Sequence, residues 1–383
     1  MHSPKSIIRV KRPNSPLSPP PTPQQRQSST TVHKKAISKK PRKILQNPQP
    51  VPIADVKWKP LNINKSELYL PLTFPTGQTF RWRKTGPLQY TGPIGPHLVS
   101  LRQLEDDGVW YCCHFTDNED NARIDLFDFL NMGISLDEIW SEFRACDQRF
   151  TELALHLEGA RVLRQDPLEC LFQFICSSNN NIPRITKMVD FISSKGDFLG
   201  NVEGHDFFEF PSLEKLALLS ENELREAGFG YRAKYIVRTV AALQSKPEGG
   251  VEWLLSLRKL DLQEAINCLS TLQGVGPKVA ACVALFALDQ HHAIPVDTHV
   301  WQVATRLIPE LAGTRLTPKT CKRVTDAFVT KYGKYAGWAQ NLLFISELPS
   351  QKSLLPASLW NTDEKVSVKL QTKGHAKMKK EEN

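Results

Sequence analysis

The chain has 383 residues, a hydrophobic share of 40% and a formal net charge of +9. Its longest apolar run, Val279–Leu288, is far shorter than the ~20 residues a membrane-spanning helix needs, and no N-terminal segment has the basic-then-apolar layout of a secretory signal. Residues 1–54 hold eleven Lys or Arg and no Asp or Glu, which leaves −2 for the remainder, so the high isoelectric point alone does not establish a basic face on the folded part.

In chain order, residues 1–54 are rich in Pro, Ser, Gln and Lys and include Pro19-Pro20-Pro21, a composition that predicts a disordered basic tail. Within it, Lys34-Lys35-Ala36-Ile37-Ser38-Lys39-Lys40-Pro41-Arg42-Lys43 reads as a nuclear address, with a non-specific DNA clamp and a solvated linker as competing readings. A mitochondrial or plastid pool is also open, because the segment is free of acid and contains Ser and Arg; its prolines count against the amphipathic helix that a transit peptide forms.

Residues 55–155 are expected to form a small antiparallel sheet domain with flanking helices. Turn signals at Pro75-Thr76-Gly77, Thr85-Gly86-Pro87, Gly92-Pro93 and Gly95-Pro96 separate strand-like runs such as Thr79–Trp82 and Val109–Cys112. From about residue 124 the spacing becomes helical, as in Leu136, Ile139, Trp140 and Phe143 and again in Leu168, Leu171, Phe172 and Ile175. Helical patterns continue to about residue 346, so residues 156–350 are expected to form a helical catalytic domain. Residues 351–383, which end in Lys377-Met378-Lys379-Lys380, lose periodicity and read as a second basic tail. No internal repeat is evident. The fold class is α+β: a small sheet followed by a larger helical body.

The eight cysteines, Cys112, Cys113, Cys146, Cys170, Cys176, Cys268, Cys282 and Cys321, include no C-x-x-C pair and no zinc or iron–sulfur spacing. Reduced thiols in a cytosolic or nuclear protein are expected.

The most informative segment is residues 262–288. Ala265, Ile266, Leu269 and Leu272 predict a helix, Gln273-Gly274-Val275-Gly276-Pro277-Lys278 a tight turn, and the apolar run after it a second helix. The glycines permit left-handed backbone and close approach to a ligand. Pro277 suits a first helical turn, where its missing N–H costs nothing. Amides exposed at the start of the second helix, at Gly274, Gly276 and Val279, would hold a phosphate at the positive helix end and grip DNA without reading bases. The carbonyls of Ser270, Leu272 and Val275 would offer a cation site against that phosphate. The competing reading is an ordinary helix C-cap with two glycines.

Lys278 either contacts phosphate or acts as a nucleophile, a neutral amine attacking a sugar carbon and ending as a Schiff base. An ordinary lysine, with a pKa near ~10.4, is neutral in only about one molecule in 2,500 at pH 7, so the second role needs desolvation or nearby positive charge. Cys282 shares a helix face with Lys278 and would either orient the amine or fill core space. Asp297 stands before the apolar spacing Val300, Val303 and Leu307, where a helix N-cap belongs. A carboxylate fixed there would also stabilise positive charge on a sugar as its base departs.

Leu272-Gln273-Gly274-Val275-Gly276-Pro277-Lys278 with Pro295-Val296-Asp297 resembles the helix–hairpin–helix DNA glycosylase superfamily. Gly77-Gln78-Thr79-Phe80-Arg81-Trp82-Arg83, Phe174-Ile175-Cys176-Ser177-Ser178-Asn179-Asn180-Asn181-Ile182-Pro183-Arg184 and Tyr335-Ala336-Gly337-Trp338-Ala339-Gln340 narrow the resemblance to the eukaryotic 8-oxoguanine DNA glycosylases. It runs from about residue 57 to 350 and covers neither tail. The resemblance implies a mostly helical two-lobed body preceded by the sheet domain. It implies a monomer that acts on duplex DNA with 8-oxoguanine opposite cytosine, and needs no cofactor. It makes Lys278 the nucleophile whose Schiff base permits β-elimination, and Asp297 the stabiliser of the sugar cation. Gly77 would offer its carbonyl to the N7–H of the oxidised base, Gln340 would bond its Watson–Crick edge, and Phe344 and Cys282 would sandwich the ring, with Phe286 on the pocket-side helix. Asn179 would fill the vacated space, with Asn181 nearby. Arg184 and Arg232 would face the orphaned cytosine, Tyr231 would wedge the stack, and His299 would bond a phosphate. The chain departs from the family pattern in having Gln273 where the hairpin usually has proline and Pro277 directly before the lysine.

Relatives that act on oxidised pyrimidines or mispaired adenine often carry a cysteine-bound iron–sulfur cluster after the aspartate. Here Cys321 alone follows Asp297, so no cluster is expected. An alkylation-repair relative would not need a lysine at 278, and a purely DNA-binding hairpin module would need no chemistry at all.

Overall fold

The computed structural model describes residues 57–104, 108–308, 311, 313–352, 355–356 and 359, all within the compact unit Pro50–Asn383. The N-terminal tail with its basic run, and the C-terminal Lys377–Lys380, lie outside the described residues.

Strand β1 (Lys59–Pro60) and short helix α1 (Leu70–Thr73) precede β2 (Arg83–Gly86), β3 (Gln89–Ile94), β4 (His97–Gln103) and β5 (Val109–Phe115). These five strands form one antiparallel sheet in the order β1-β5-β4-β3-β2. The two-residue alternation of strand side chains sets its two faces. Val99 and Leu101 of β4 join a core with Leu126, Phe129 and Leu130 from helix α2 (Glu119–Phe129) and the residues after it. Leu98 points the other way, into a small cluster with Leu199, Val202 and Phe207.

That second cluster comes from a hairpin, β6 (Phe198–Val202) with β7 (His205–Phe208), inside a stretch expected to be helical throughout. Its turn uses Glu203 and Gly204, both at positive φ, the backbone that tight hairpins require. A register shift between Phe198 and Gly200 interrupts the alternation that would have exposed the strand in the sequence. A second departure is Thr79–Trp82, expected as a strand but outside any ladder. There the Phe80 amide donates to the Gln173 side chain at 2.7 Å, and Arg81 pairs with Glu169 and the Phe208 carbonyl. Side chains of the helical body thus take the place of a neighbouring strand.

The helical body comprises α3 (Leu136–Cys146), α4 (Gln148–Ala154), α5 (Pro167–Ser177), α6 (Ile182–Ser193), α7 (Leu213–Ala217), α8 (Glu221–Glu226), α9 (Arg232–Gln244), α10 (Gly250–Ser256), α11 (Leu262–Leu269), α12 (Pro277–Ala287), α13 (Thr298–Leu307), α14 (Pro318–Tyr332), α15 (Ala336–Ile345) and α16 (Pro349–Lys352). Side-chain caps start many of them: Ser135, Asp147, Asp166, Asn181 and Asp261 each accept a backbone N–H of the first turn. Helices α5 and α12 are buried around most of their circumference and pack on each other, which makes them the centre of the body. Arg161 is fully buried among the elements that join the sheet to this body. It donates to the carbonyls of Glu67 at 2.7 Å, Asn131 at 2.8 Å and Ile134 at 2.9 Å, and pairs with the Glu67 carboxylate.

Candidate active site

In the turn between α11 and α12, one of the two glycines is left-handed and the other extended. Gly274 sits at φ +79, and a Cβ there would lie 2.5 Å from the Tyr235 ring, so glycine is required both by backbone and by space. Gly276 is the N-cap of α12 and Pro277 opens the helix. The first intrahelical bond runs from the Ala280 N–H to the Gly276 carbonyl at 2.9 Å, so the amides of Lys278 and Val279 precede the helical ladder. The Val279 side chain is in the core; contact with a phosphate would therefore fall to its backbone. The Thr239 hydroxyl donates to the Gln273 carbonyl at 2.9 Å and ties the turn to α9. Of the carbonyls suggested as a cation site, that of Leu272 accepts the Val275 N–H at a long 3.3 Å. Among the described residues no cluster of three His, Cys, Asp or Glu side chains is arranged to hold a metal ion.

At the start of α12 lies a narrow cavity of about 60 Å³ lined by Gly77, Gln78, Lys278, Cys282, Phe286, Asp297, Gln340 and Phe344. The residues expected to attack, stabilise and recognise a base thus come from the loop after α1, from α12, from the start of α13 and from α15. Larger cavities, of about 450 and 270 Å³, lie beside β7 and beside Arg164 and gather none of these residues. The small cavity is favoured by its chemistry.

The Lys278 amine lies 3.5 Å from the Ser177 hydroxyl and 5.4 Å from the centre of the Phe174 ring. Phe174 stacks on Phe286 with centroids 5.5 Å apart and planes 13° from parallel. The amine therefore emerges from an apolar floor with one hydroxyl beside it. Cys282 is buried one helical turn after Lys278, whose charge acts on its thiol. Burial pushes its thiol up to about 11, against the pull of the lysine, so at neutral pH it is a neutral, polarisable wall. Cys282 thus fills core space beside the cavity that Lys278 lines. The Asp297 carboxylate accepts the Val300 N–H at 2.9 Å, as an N-cap should, while facing the cavity. Gly77 is left-handed at φ +83 after a tight turn, Phe74–Thr76, and Gln340 is buried on α15.

A second group gathers at the loop between α5 and α6. Asn179 holds φ +48, a left-handed backbone rare outside glycine. Asn181 caps α6 by accepting the Arg184 N–H at 3.1 Å, and Arg184 donates to the Gly228 carbonyl at 3.0 Å. Tyr231, half exposed, donates its hydroxyl to the Ser178 carbonyl at 3.0 Å. Arg232 is almost fully buried, and its guanidinium donates to the carbonyls of Ser178 and Asn179, the latter at 2.9 Å. Those donors are engaged with the protein, so Arg232 holds the loop here; facing a cytosine would require these bonds to exchange. The side chain of His299 lies outside the described residues.

The sequence motifs include Gln78, Phe174 and Ser177 but assign them no role, and they leave out Asn341, which also lines the cavity. Phe174 falls off the apolar stripe of α5, and Ser177 reads as a helix end; only the position of Lys278 on a distant helix makes either of them part of a site.

Comparison with known proteins matches residues 60–171 to the family described as 8-oxoguanine DNA glycosylase, N-terminal domain, and residues 172–325 to the HhH-GPD superfamily of base excision DNA repair proteins. The chain is 68% identical over 301 residues to the N-glycosylase/DNA lyase OGG1 of Arabidopsis thaliana, covering 78% of this chain and 82% of the relative. It is 34% identical to the N-glycosylase/DNA lyase of Saccharomyces cerevisiae over 76% of this chain and 86% of that one. Among solved structures, the 8-oxoguanine glycosylase/lyase of Clostridium acetobutylicum, in complex with double-stranded DNA containing cytosine opposite 8-oxoG, superposes with a TM-score of 0.64. It shows 31% identity over 73% of this chain and 91% of that chain.

Proposed function

Because the chain belongs to the 8-oxoguanine DNA glycosylase family of the helix–hairpin–helix base-excision repair superfamily, we infer that it excises 8-oxoguanine paired with cytosine from duplex DNA and then cleaves the strand at the abasic site. The observation that carries this reading is the convergence of Lys278, Asp297, Gly77 and Gln340 on one cavity at the helix start that follows the glycine hairpin.

Neutral Lys278 Nζ attacks the sugar C1′, and the base leaves with the electron pair of the glycosidic bond. The carboxylate of Asp297 stabilises the positive charge that builds on the sugar ring. Ring opening gives a Schiff base between Nζ and C1′. Loss of a C2′ proton then expels the 3′ phosphate by β-elimination. Phe174 and Phe286 form an apolar floor beneath the amine, and Ser177 offers a hydroxyl to orient it.

Recognition rests on one carbonyl. Gly77 accepts the N7–H present only in the oxidised base, whereas guanine presents a lone pair there and the two acceptors repel. Gln340 bonds the Watson–Crick edge, and Phe344 and Cys282 cover the ring faces. Asn179 takes the vacated space, Arg184 faces the cytosine with Arg232 joining as its loop bonds exchange, and Tyr231 wedges the neighbouring stack. Backbone amides at Gly274, Gly276 and Val279, with His299, hold the phosphates, and the carbonyls of Ser270, Leu272 and Val275 hold a cation that takes no part in the chemistry. The enzyme acts as a monomer, and the basic run at Lys34–Lys43 directs it to the nucleus.

Borohydride trapping on a duplex with 8-oxoguanine opposite cytosine tests the reading. The wild type is expected to give a covalent adduct and Lys278→Gln none. Absence of a wild-type adduct, or an undiminished adduct with the variant, would overturn it.

A further inference from the structure

The two walls of the base slot are linked by a buried chain of amides that the chemistry does not use. Gln165 is 1% exposed and Gln173 0%. The Gln165 side chain donates to the Gln78 carbonyl at 2.6 Å, next to the Gly77 peptide. Its backbone N–H donates to the Phe286 carbonyl at 2.7 Å, on the opposite wall. One residue therefore spans from the recognition loop to α12, the helix that carries Lys278.

Gln173 fixes that spanning residue in turn. Its amide donates to the Gln165 side-chain oxygen at 3.1 Å and to the Glu169 carboxylate at 3.1 Å, and its oxygen accepts the Phe80 N–H at 2.7 Å. Glu169 is anchored by Arg81. The recognition loop is closed from its other end by Gln78, whose amide donates to the carbonyls of Thr73 at 2.7 Å and Arg161 at 3.0 Å, and whose oxygen accepts the Leu163 N–H at 2.9 Å. Burying so many amides is tolerable only because each finds partners. An apolar core would have packed this volume with less demand on geometry, but it would not have fixed the direction of a carbonyl.

We propose that Gln165 and Gln173 are positioning residues that set the separation between the Gly77 carbonyl and α12, and so determine the preference for the oxidised base. The proposal rests on the reading of Gly77 given above. The Schiff-base step at an abasic site needs Lys278 but no base in the slot, so the network bears on excision and not on strand cleavage.

The test uses Gln165→Met and Gln173→Met, near-isosteric changes that remove the polar contacts, made singly and together in the full chain. Three quantities are read for each: single-turnover excision of 8-oxoguanine opposite cytosine, cleavage of a preformed abasic duplex, and the ratio of affinities for 8-oxoguanine and guanine duplexes. Each single variant should lose about tenfold in excision and in the affinity ratio, with abasic cleavage held within about twofold. The double variant should be no worse than about the weaker single, because the two residues act in series. The proposal is overturned if excision is unchanged, if excision and abasic cleavage fall together with the folded fraction, or if the two losses multiply. A wild type that shows no preference for the lesion refutes the reading of Gly77 itself, a result distinct from a wild type and variants that all discriminate equally.

Discussion

The two glycines of the hairpin should fail in different ways when replaced by alanine. At Gly274 the backbone is left-handed, which costs a non-glycine residue about 1–2 kcal/mol. The new Cβ would also lie 2.5, 2.6 and 2.8 Å from Tyr235 atoms, an overpacking that costs roughly 1–3 kcal/mol more. Gly274→Ala should therefore lose about 2–5 kcal/mol of stability, a fall of roughly 3–8 °C in thermal midpoint for a body of this size. Gly276 has φ −90 and ψ −179, open to any residue, and nothing lies within 4 Å of a Cβ there. Gly276→Ala should fold like the wild type. Its methyl group would stand where the DNA backbone must approach, at a loss of about 1.5–3 kcal/mol for a hydrogen bond to a charged group, or about 10- to 150-fold in affinity. Thermal denaturation and fluorescence anisotropy with an abasic-analogue duplex at one fixed salt concentration measure both quantities on the same preparations. Wild-type affinity for Gly276→Ala, or wild-type stability for Gly274→Ala, would refute the division of labour between them.

Asp297→Asn keeps an acceptor for the Val300 N–H, so its thermal midpoint should barely move while single-turnover excision drops about 10²- to 10³-fold; a loss of stability in proportion to activity would mean that Asp297 acts as a cap alone. Arg161→Gln abandons the Glu67 carboxylate and strips donors from three carbonyls around the buried guanidinium, and urea denaturation should show a loss of about 3–5 kcal/mol. Burial pushes the Asp147 carboxyl up, but bonds from Lys331, Tyr332 and the Phe150 amide outweigh it and hold the group below its ordinary 3.8. A carboxyl with a lowered folded pKa contributes stability that is complete above its unfolded pKa and is lost as pH falls through the folded one. Glu169 and Asp190, which burial raises, work in the opposite sense, so the comparison must be made with a variant. Urea midpoints between about pH 6 and pH 3 should fall less steeply for Asp147→Asn than for the wild type; parallel curves would exclude the contribution of Asp147.

Much of the active site was legible because its chemistry is local in sequence. The hairpin declares itself through two glycines, a proline and a lysine at a helix start, and Asp297 through its position before a new apolar stripe. Joining Lys278 to Gly77 or Gln340 came from family resemblance, since no periodicity relates residues on distant segments that meet only in the folded chain. The hairpin of β6 and β7 escaped because a register shift breaks its alternation and Glu203 is an unusual residue for a left-handed turn. Thr79–Trp82 misled for the opposite reason: aromatic and β-branched residues satisfy a strand pattern, yet the partners of Phe80 and Arg81 are side chains of α5 and the end of β7. A similar blindness hid Phe174, whose importance lies in the amine above it.

The grip of Arg232 on the Ser178 and Asn179 carbonyls has a consequence for how an enzyme of this kind would patrol a genome. A finger shaped before it meets DNA pays no ordering entropy at each base pair it samples. Nearly all sampled positions are undamaged, and an entropic toll repeated at each of them would dominate the search. With the loop already held, the remaining barrier is the unstacking of the nucleotide, which depends on the DNA and is lowest where pairing is weakened. Dwell time along the duplex would then report the mechanical softness of each step, and the slot beside Lys278 would be consulted only for the few bases that have already yielded.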